Sequence, residues 1–250
     1  MSIQCTGITN ETASSTLPRI LRSAIMNQIT LHTQRLVLRP LAAEHKDFLF
    51  RLDSDPDVMK HVGYGKPLNA EDSAIVHKLL LETASHGNGS GCWVGFSDNN
   101  FVGWWVLCPH QTEDTPPRIN LDRAEFGLRV LPKFWGQGFA KEGSRELIRH
   151  SFQDLGIKEI FGDTMTVNAG SRATMSAYGM RLVRTFYNHY ETPPVGIEEG
   201  EVEYRITLDE WTSLQRAIML QPSRQDALSV NNAQRTGQRA GLAMPLGVAV

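Results

Sequence analysis

The sequence predicts a mixed α/β fold, one mixed sheet with helices packed on it. Three observations lead there. Strand-like and helix-like segments follow in the order β-α-α-β-β-β-α-β-α-β-β, which one sheet with helices on its faces accommodates. The segment from Glu125 to Ala140 begins as an alternating strand, breaks at Pro132, turns at Gly136 and Gly138, and continues as an amphipathic helix to Leu155. The chain has 250 residues, 41 % of them hydrophobic, enough for one sizeable core.

Each element has a local reason. Leu36 and Leu38 alternate with Arg35 and Arg39, so one face of a strand is apolar. Between Ala43 and Asp53, Phe48, Leu49 and Leu52 stand at helical spacing, and Asp55-Pro56 breaks the chain. Asn69 is an N-cap for a helix over 70–84 with Ile75, Leu79 and Leu80 as its apolar stripe. The loop 86–91 follows. Cys92–Phe96 and Phe101–Leu107 flank Ser97-Asp-Asn-Asn100 as a hairpin. Residues 109–122 read as a polar connection before the central strand, Arg123–Leu131. Past the long helix come a strand over 158–167, a short helix over 168–177, and strands over 183–189 and 202–208.

The turn at Gly136 and Gly138 has a chemical consequence. A helix start leaves backbone N–H groups unpaired, and the helix dipole adds partial positive charge there. Such a turn suits a phosphate or pyrophosphate, although an ordinary strand–turn–helix connection looks the same from the glycines alone.

The neighbouring residues add a resemblance. Trp135-Gly-Gln-Gly-Phe-Ala140 resembles the acyl-CoA-binding signature of the GNAT superfamily of N-acetyltransferases, with Trp135 where the general pattern has Arg or Gln. The form Trp-Gly-x-Gly-x-Ala-x-Glu, here Trp135 to Glu142, is similar to the RimJ/RimL-like branch that acetylates ribosomal proteins. Arg35-Leu-Val-Leu-Arg-Pro40, Ser54-Asp-Pro-Asp-Val-Met59 and Asn168-Ala-Gly-Ser-Arg172 with Gly179-Met180 resemble further segments of that branch, in order. The resemblance covers residues 33–211. It implies a GNAT fold: a largely antiparallel sheet splayed between its fourth and fifth strands, here 123–131 and 158–167. It also implies acetyl-CoA as co-substrate, an amine acceptor and direct attack in a ternary complex. The expected domain runs over 31–212, between a poorly ordered arm over 1–30 and a tail over 213–250 that is partly helical or disordered.

The resemblance also implies a site. The splay would free backbone groups of Leu128 and Val130 to pair with the pantetheine arm. The pyrophosphate would meet the backbone of Trp135, Gly136, Gln137, Gly138, Phe139, Ala140 and Lys141. Asn168 would bond the arm, cap the short helix, or do both. An alkyl amine with a pKa near ~10 is only about 0.1 % neutral at pH 7, so a base helps. Glu125 is the candidate, against the alternative of an exposed strand Glu paired with Arg123 or another basic residue. The Val130 N–H is the expected oxyanion donor. Many relatives carry a Tyr acid seven residues after the Asn; here that position is Met175. Tyr178 reads as a packing residue. Ser171 either hydrogen-bonds the sulfur or caps the helix.

Composition excludes several classes. The net charge of −2 gives no footprint for nucleic acid, and no apolar run is long enough to span a bilayer. Cys5, Cys92 and Cys108 have no metal-ligand spacing, and the eight histidines suggest no metal. Sparse cysteines fit a reducing, cytoplasmic compartment. Cys92 and Cys108 lie in apolar runs and read as buried structural thiols. A homodimer is compatible with the resemblance. The run Glu198, Glu199 and Glu201 either attracts a cationic amine or forms a solvated loop. A non-catalytic acyl-CoA-binding module is the alternative to an enzyme.

Overall fold

The computed structural model describes residues 27–220 apart from Gly87 and Glu113. Residues 1–26 of the arm expected over 1–30, with Cys5, and residues 221–250 of the tail expected over 213–250 lie outside the described residues. Eight strands form one sheet: β1 (Leu31–His32), β2 (Val37–Pro40), β3 (Gly91–Ser97), β4 (Asn100–Gln111), β5 (Ile119–Val130), β6 (Glu159–Met165), β7 (Arg181–Phe186) and β8 (Glu201–Thr207). Their spatial order is β1-β2-β3-β4-β5-β6-β8-β7. Every neighbouring pair is antiparallel except β5 and β6, which run parallel. The short β1 shifts the count by one, so the splayed strands are the fifth and sixth.

The hairpin between β3 and β4 turns at Asp98 and Asn99, both at positive φ (48° and 62°), the conformation that a two-residue hairpin turn needs and that Asp and Asn tolerate. Half of the polar connection expected over 109–122 is strand. β4 runs on to Gln111 and β5 starts at Ile119, with a register shift at Pro109/His110. That bulge absorbs the proline, which cannot donate to the ladder.

The helices are α1 (Lys46–Asp53), α2 (Pro56–Met59), α3 (Ala70–Glu82), α4 (Phe139–Arg149), α5 (Ala169–Ser176) and α6 (Leu208–Leu220). Asp55-Pro56 does end α1, but it also starts α2: the Asp55 carboxylate accepts from the N–H groups of Asp57 and Val58, with proline at the first helical position. Asn69 caps α3 as expected. The buried face of α3, however, is Ser73, His77 and Leu80, while Ile75 is exposed. Polar contacts set that rotation: Ser73 donates to Asp53 at 2.7 Å, and His77 Nε2 lies 3.1 Å from the Ala42 carbonyl.

The two faces of the sheet are distinct. On one, Leu41, Leu49, Leu52 and Leu80 pack on Cys92, Val94, Trp104, Val106 and Leu131. On the other, α4 lies so close to β4 that a Cβ on Gly143 would sit 2.6 Å from the Trp105 ring. Trp105 Nε1 donates to the Ser144 hydroxyl at 3.2 Å. Trp93, Trp104, Trp105 and Phe126 are fully buried. Cys92 and Cys108 are free and buried, as expected.

Candidate acyl-CoA and acceptor site

The parallel pairing of β5 with β6 covers only Arg123↔Glu159, Ala124↔Ile160 and Glu125↔Phe161. Beyond Glu125 the strands part, while β5 stays paired to β4 through Val130. The Leu131 N–H donates to the Val102 carbonyl next to the Gly103↔Val130 pair. That register turns the backbone groups of Leu131 and Arg129 toward β4. The N–H and C=O of Val130 and Leu128 therefore face the fork. The Val130 carbonyl accepts from Trp135 Nε1 at 2.6 Å, so its N–H is the group that points into the gap.

A cavity of about 550 Å³ opens at the fork. Its walls include Leu128 and Val130 from β5, Trp135, Gly136, Gly138 and Ala140 from the turn, and Asn168, Ser171 and Met175 from α5. Gly136 and Gly138 have φ of +70° and +84°, where side-chain residues are strained, and Gly138 is the N-cap of α4. The first α-helical bond runs from the Glu142 N–H to the Gly138 carbonyl. The N–H groups of Phe139, Ala140 and Lys141 thus lie in the turn before intrahelical pairing begins.

The side chains of Gln137, Phe139 and Lys141 do not line the cavity. Gln137 donates to the Lys133 carbonyl at 2.6 Å. Phe139 is buried against Phe134 and under the Arg35 guanidinium, 4.2 Å from its centroid. Arg35 also donates to the Gln137 carbonyl and pairs with Glu142 at 2.6 Å, tying the start of β2 to the turn.

Asn168 caps α5, accepting from the Ser171 N–H at 3.1 Å, while also lining the cavity. Ser171 is the capped residue rather than the cap. Tyr178 is buried, and its hydroxyl donates to the Ala140 carbonyl at 3.1 Å. Burial pushes its pKa far up, so it is a packing group, as expected.

Glu125 does not line the cavity. It sits at the vertex of the fork, only 9 % exposed, and its Oε1 has no hydrogen-bond partner among the described residues. Burial, then the nearby Asp163, holds its carboxyl well above the usual range. Arg123 pairs instead with Glu159 at 2.8 Å and Glu203 at 3.1 Å, so the alternative of a Glu125–Arg123 pair fails. Glu198 and Glu199 are exposed in a turn, whereas Glu201 is buried in β8 and accepts from Asn188 at 2.6 Å. The acidic run is therefore split and is not one cluster.

Further wall residues lie on the segment that follows α1. Asp57, Val58, Lys60, His61 and Val62 come from α2 and the turn after it. Burial and Lys60 lower the His61 pKa. Arg129 pairs with the fully buried Asp53, fixing β5 to α1. Two charges at 53 and 129, 76 residues apart, carry no local signal. Among the described residues, no group of three His, Cys, Asp or Glu side chains is placed for a metal, and no helix is long and apolar enough to cross a membrane.

The forked parallel pair and the glycine turn at a helix start meet at one cavity. The model of the acetyltransferase (GNAT) domain matches residues 35–181, and the chain belongs to that family; it is an acyl-CoA-dependent transferase. It is 51 % identical over 195 residues to the FsC-acetyl coenzyme A-N(2)-transacetylase of Aspergillus fumigatus, covering 78 % of this chain and 83 % of the relative. Among solved structures it is similar to Mycobacterium smegmatis RimJ in complex with CoA-disulfide (TM-score 0.60, 19 % identity, 74 % of this chain and 91 % of that one). It is also similar to Vibrio cholerae spermidine N-acetyltransferase in complex with CoA and spermine (0.56, 19 %, 71 % and 98 %). At these identities the structures speak for the fold alone.

Proposed function

We propose that the protein transfers the acetyl group of acetyl-CoA to a primary amine of a small molecule, with Glu125 as the base. The observation that carries this reading is the fork: one cavity joins the freed edge of β5, the Trp135–Ala140 turn and the start of α5. The freed edge of β5 and the start of α5 suit the pantetheine arm with its thioester and amides, and the turn suits the pyrophosphate. The free Val130 N–H and the Leu128 backbone hold the arm as an added strand would. The N–H groups of residues 138–141 meet the pyrophosphate. Asn168 contacts the arm while capping α5.

Glu125 takes a proton from the bound amine. The neutral nitrogen then forms its bond to the thioester carbon, the C–S bond breaks, and its electron pair leaves on sulfur. With the Val130 N–H bonded to the arm, the Leu128 N–H, the freed group of β5 nearer Glu125, donates to the oxygen on which charge develops. The nitrogen's second proton goes to the thiolate. With Met175 at the usual acid position and Tyr178 held by Ala140, the chain supplies no tyrosine acid. A thiol pKa near ~8.5 makes the thiolate a tolerable leaving group. Ser171, on the cavity wall, hydrogen-bonds the sulfur.

The small-molecule acceptor is supported by the fungal relative, whose name places transfer at an N(2) nitrogen. A protein N-terminus, as in the RimJ/RimL-like branch, rests on the four segments that resemble that branch. The buried free thiols suit a cytoplasmic protein. The test is thioester consumption with a primary amine: Glu125→Gln should cut kcat about 10²-fold or more with acetyl-CoA affinity little changed. A full-speed variant at saturating amine removes Glu125 from the mechanism.

A further inference from the structure

The face of the sheet that carries Glu125 holds more acid than its neighbours neutralise. Partner residues in a ladder share a face, and faces alternate along a strand. The registers Glu125↔Phe161, Asp163↔Glu203 and Met165↔Glu201 therefore put Glu125, Asp163, Glu203 and Glu201 on one side of β5, β6 and β8. Arg123 confirms the facing, since its guanidinium lies 4.0 Å over the Phe161 ring and bonds Glu203.

Away from the fork this face is balanced. Glu159 pairs with Arg123 and Arg205, and Glu203 with Arg123 and Arg184. Toward the fork the balance ends. Glu125, Asp163 and Glu201 form no ion pair among the described residues, and Arg123 acts on Glu125 only from a distance. Glu201 is 2 % exposed and accepts from the Asn188 amide. Asp163 Oδ1 is buried without a partner. From the other strand of the fork, Glu125 Oε1 is also buried without a partner. A buried acceptor left unpaired is costly, and a buried charge more so. Gly127 follows Glu125 on this face and adds no side chain to it.

We propose that Asp163 and Glu201 form, with Glu125, a recognition well for the ammonium of the acceptor, and that the acceptor is a cationic amine without a free carboxylate beside the reacting nitrogen. Resting on the reading of Glu125 as base, this gives Asp163 and Glu201 a separate role. They bind and orient the ammonium, and Glu125 takes its proton. A carboxylate next to the amine would enter a well that already holds uncompensated negative charge. Neutral or cationic neighbours would not be repelled.

The probes are 1,5-diaminopentane and lysine, which differ only by the α-carboxylate, assayed with saturating acetyl-CoA by the acetylated product, counting for lysine only acetylation of the α-nitrogen beside the carboxylate. The parent should show kcat/KM at least about tenfold higher for the diamine. Asp163→Asn, and separately Glu201→Gln, should raise the diamine KM about tenfold, leave kcat within about threefold, and leave the acetyl-CoA KM unchanged. Equal kcat/KM for the two probes, turnover of neither, or an unchanged diamine KM in both folded variants overturns the proposal. The base reading fails separately: Glu125→Gln at full kcat, with Asp163→Asn still raising KM, sinks the base and keeps the well.

Discussion

The Asp53–Arg129 pair is the strongest structural prediction, because it fixes β5 beside the cavity from a fully buried position. Asp53 is 0 % exposed, and its two oxygens accept from Arg129 Nη1 and the Ser73 hydroxyl. Arg129 lies over Trp104, 5.1 Å from its centroid. Asp53→Ala leaves a buried guanidinium uncompensated and the Ser73 hydroxyl without its acceptor. Breaking a buried pair from one side costs about 3–5 kcal/mol, whereas replacing both partners with apolar groups is often near neutral. We therefore expect Asp53→Ala and Arg129→Met each to lose about 3–5 kcal/mol, and Asp53→Leu/Arg129→Met to lose far less than their sum. Urea unfolding measures it: with a slope of roughly 2 kcal/mol per molar, a loss of about 4 kcal/mol moves the midpoint by about 2 M. Single variants within about 1 kcal/mol of the parent, or a double variant that loses the sum, would refute the claim that the pair is a coupled, desolvated unit.

Three further outcomes follow from the same geometry. Gly143→Ala should destabilise by about 1–2 kcal/mol in thermal unfolding, since overpacking against the buried Trp105 ring outweighs the helix-propensity gain of roughly 1 kcal/mol; an unchanged midpoint would mean that α4 shifts freely. Gly138→Asp should lower calorimetric CoA affinity at least about 100-fold, while left-handed strain costs the fold only about 1–2 kcal/mol; unchanged affinity in the folded variant removes the turn from the site. Burial first, with Glu201 and Glu203 adding, pushes the Asp163 carboxyl up to about 6. A carboxyl raised in the fold contributes stability that is whole below the unfolded pKa near ~3.9 and is lost as pH rises through about 6. Asp163→Asn should thus gain on the parent as pH rises, by up to roughly 2–3 kcal/mol at about pH 8 and nothing at about pH 4; a pH-independent difference contradicts the burial of that charge.

Much of the molecule is legible where the signal is local. Asn69 and Asn168 are capping residues that the sequence marks by their place before a helical period, and both cap. The Asp98-Asn99 turn and the Gly136 and Gly138 positions follow from backbone preference alone. The gap between β5 and β6 is expected from the family resemblance, not from periodicity, because nothing in 123–131 or 158–167 says where two strands stop pairing. Long-range chemistry is not legible. Ser73 and His77 look like solvent positions on α3 until Asp53 and the Ala42 carbonyl are placed beside them. Glu201 looks like the end of a charged loop until β8 pairs with β6 and carries it to Asp163's face. The indole of Trp135 reads as a departure from a motif, and only the structure shows it bonded to the Val130 carbonyl.

The central claim is that the fork of β5 and β6 and the turn before α4 together hold acetyl-CoA. A crystal structure of the full chain with CoA tests it most directly. The pantetheine arm should lie between the two strands, with an arm carbonyl within about 3.2 Å of the Val130 N–H and pyrophosphate oxygens within the same distance of N–H groups of residues 138–141. A CoA molecule seated away from the fork, or a pyrophosphate held by side chains with those N–H groups left untouched, would contradict it.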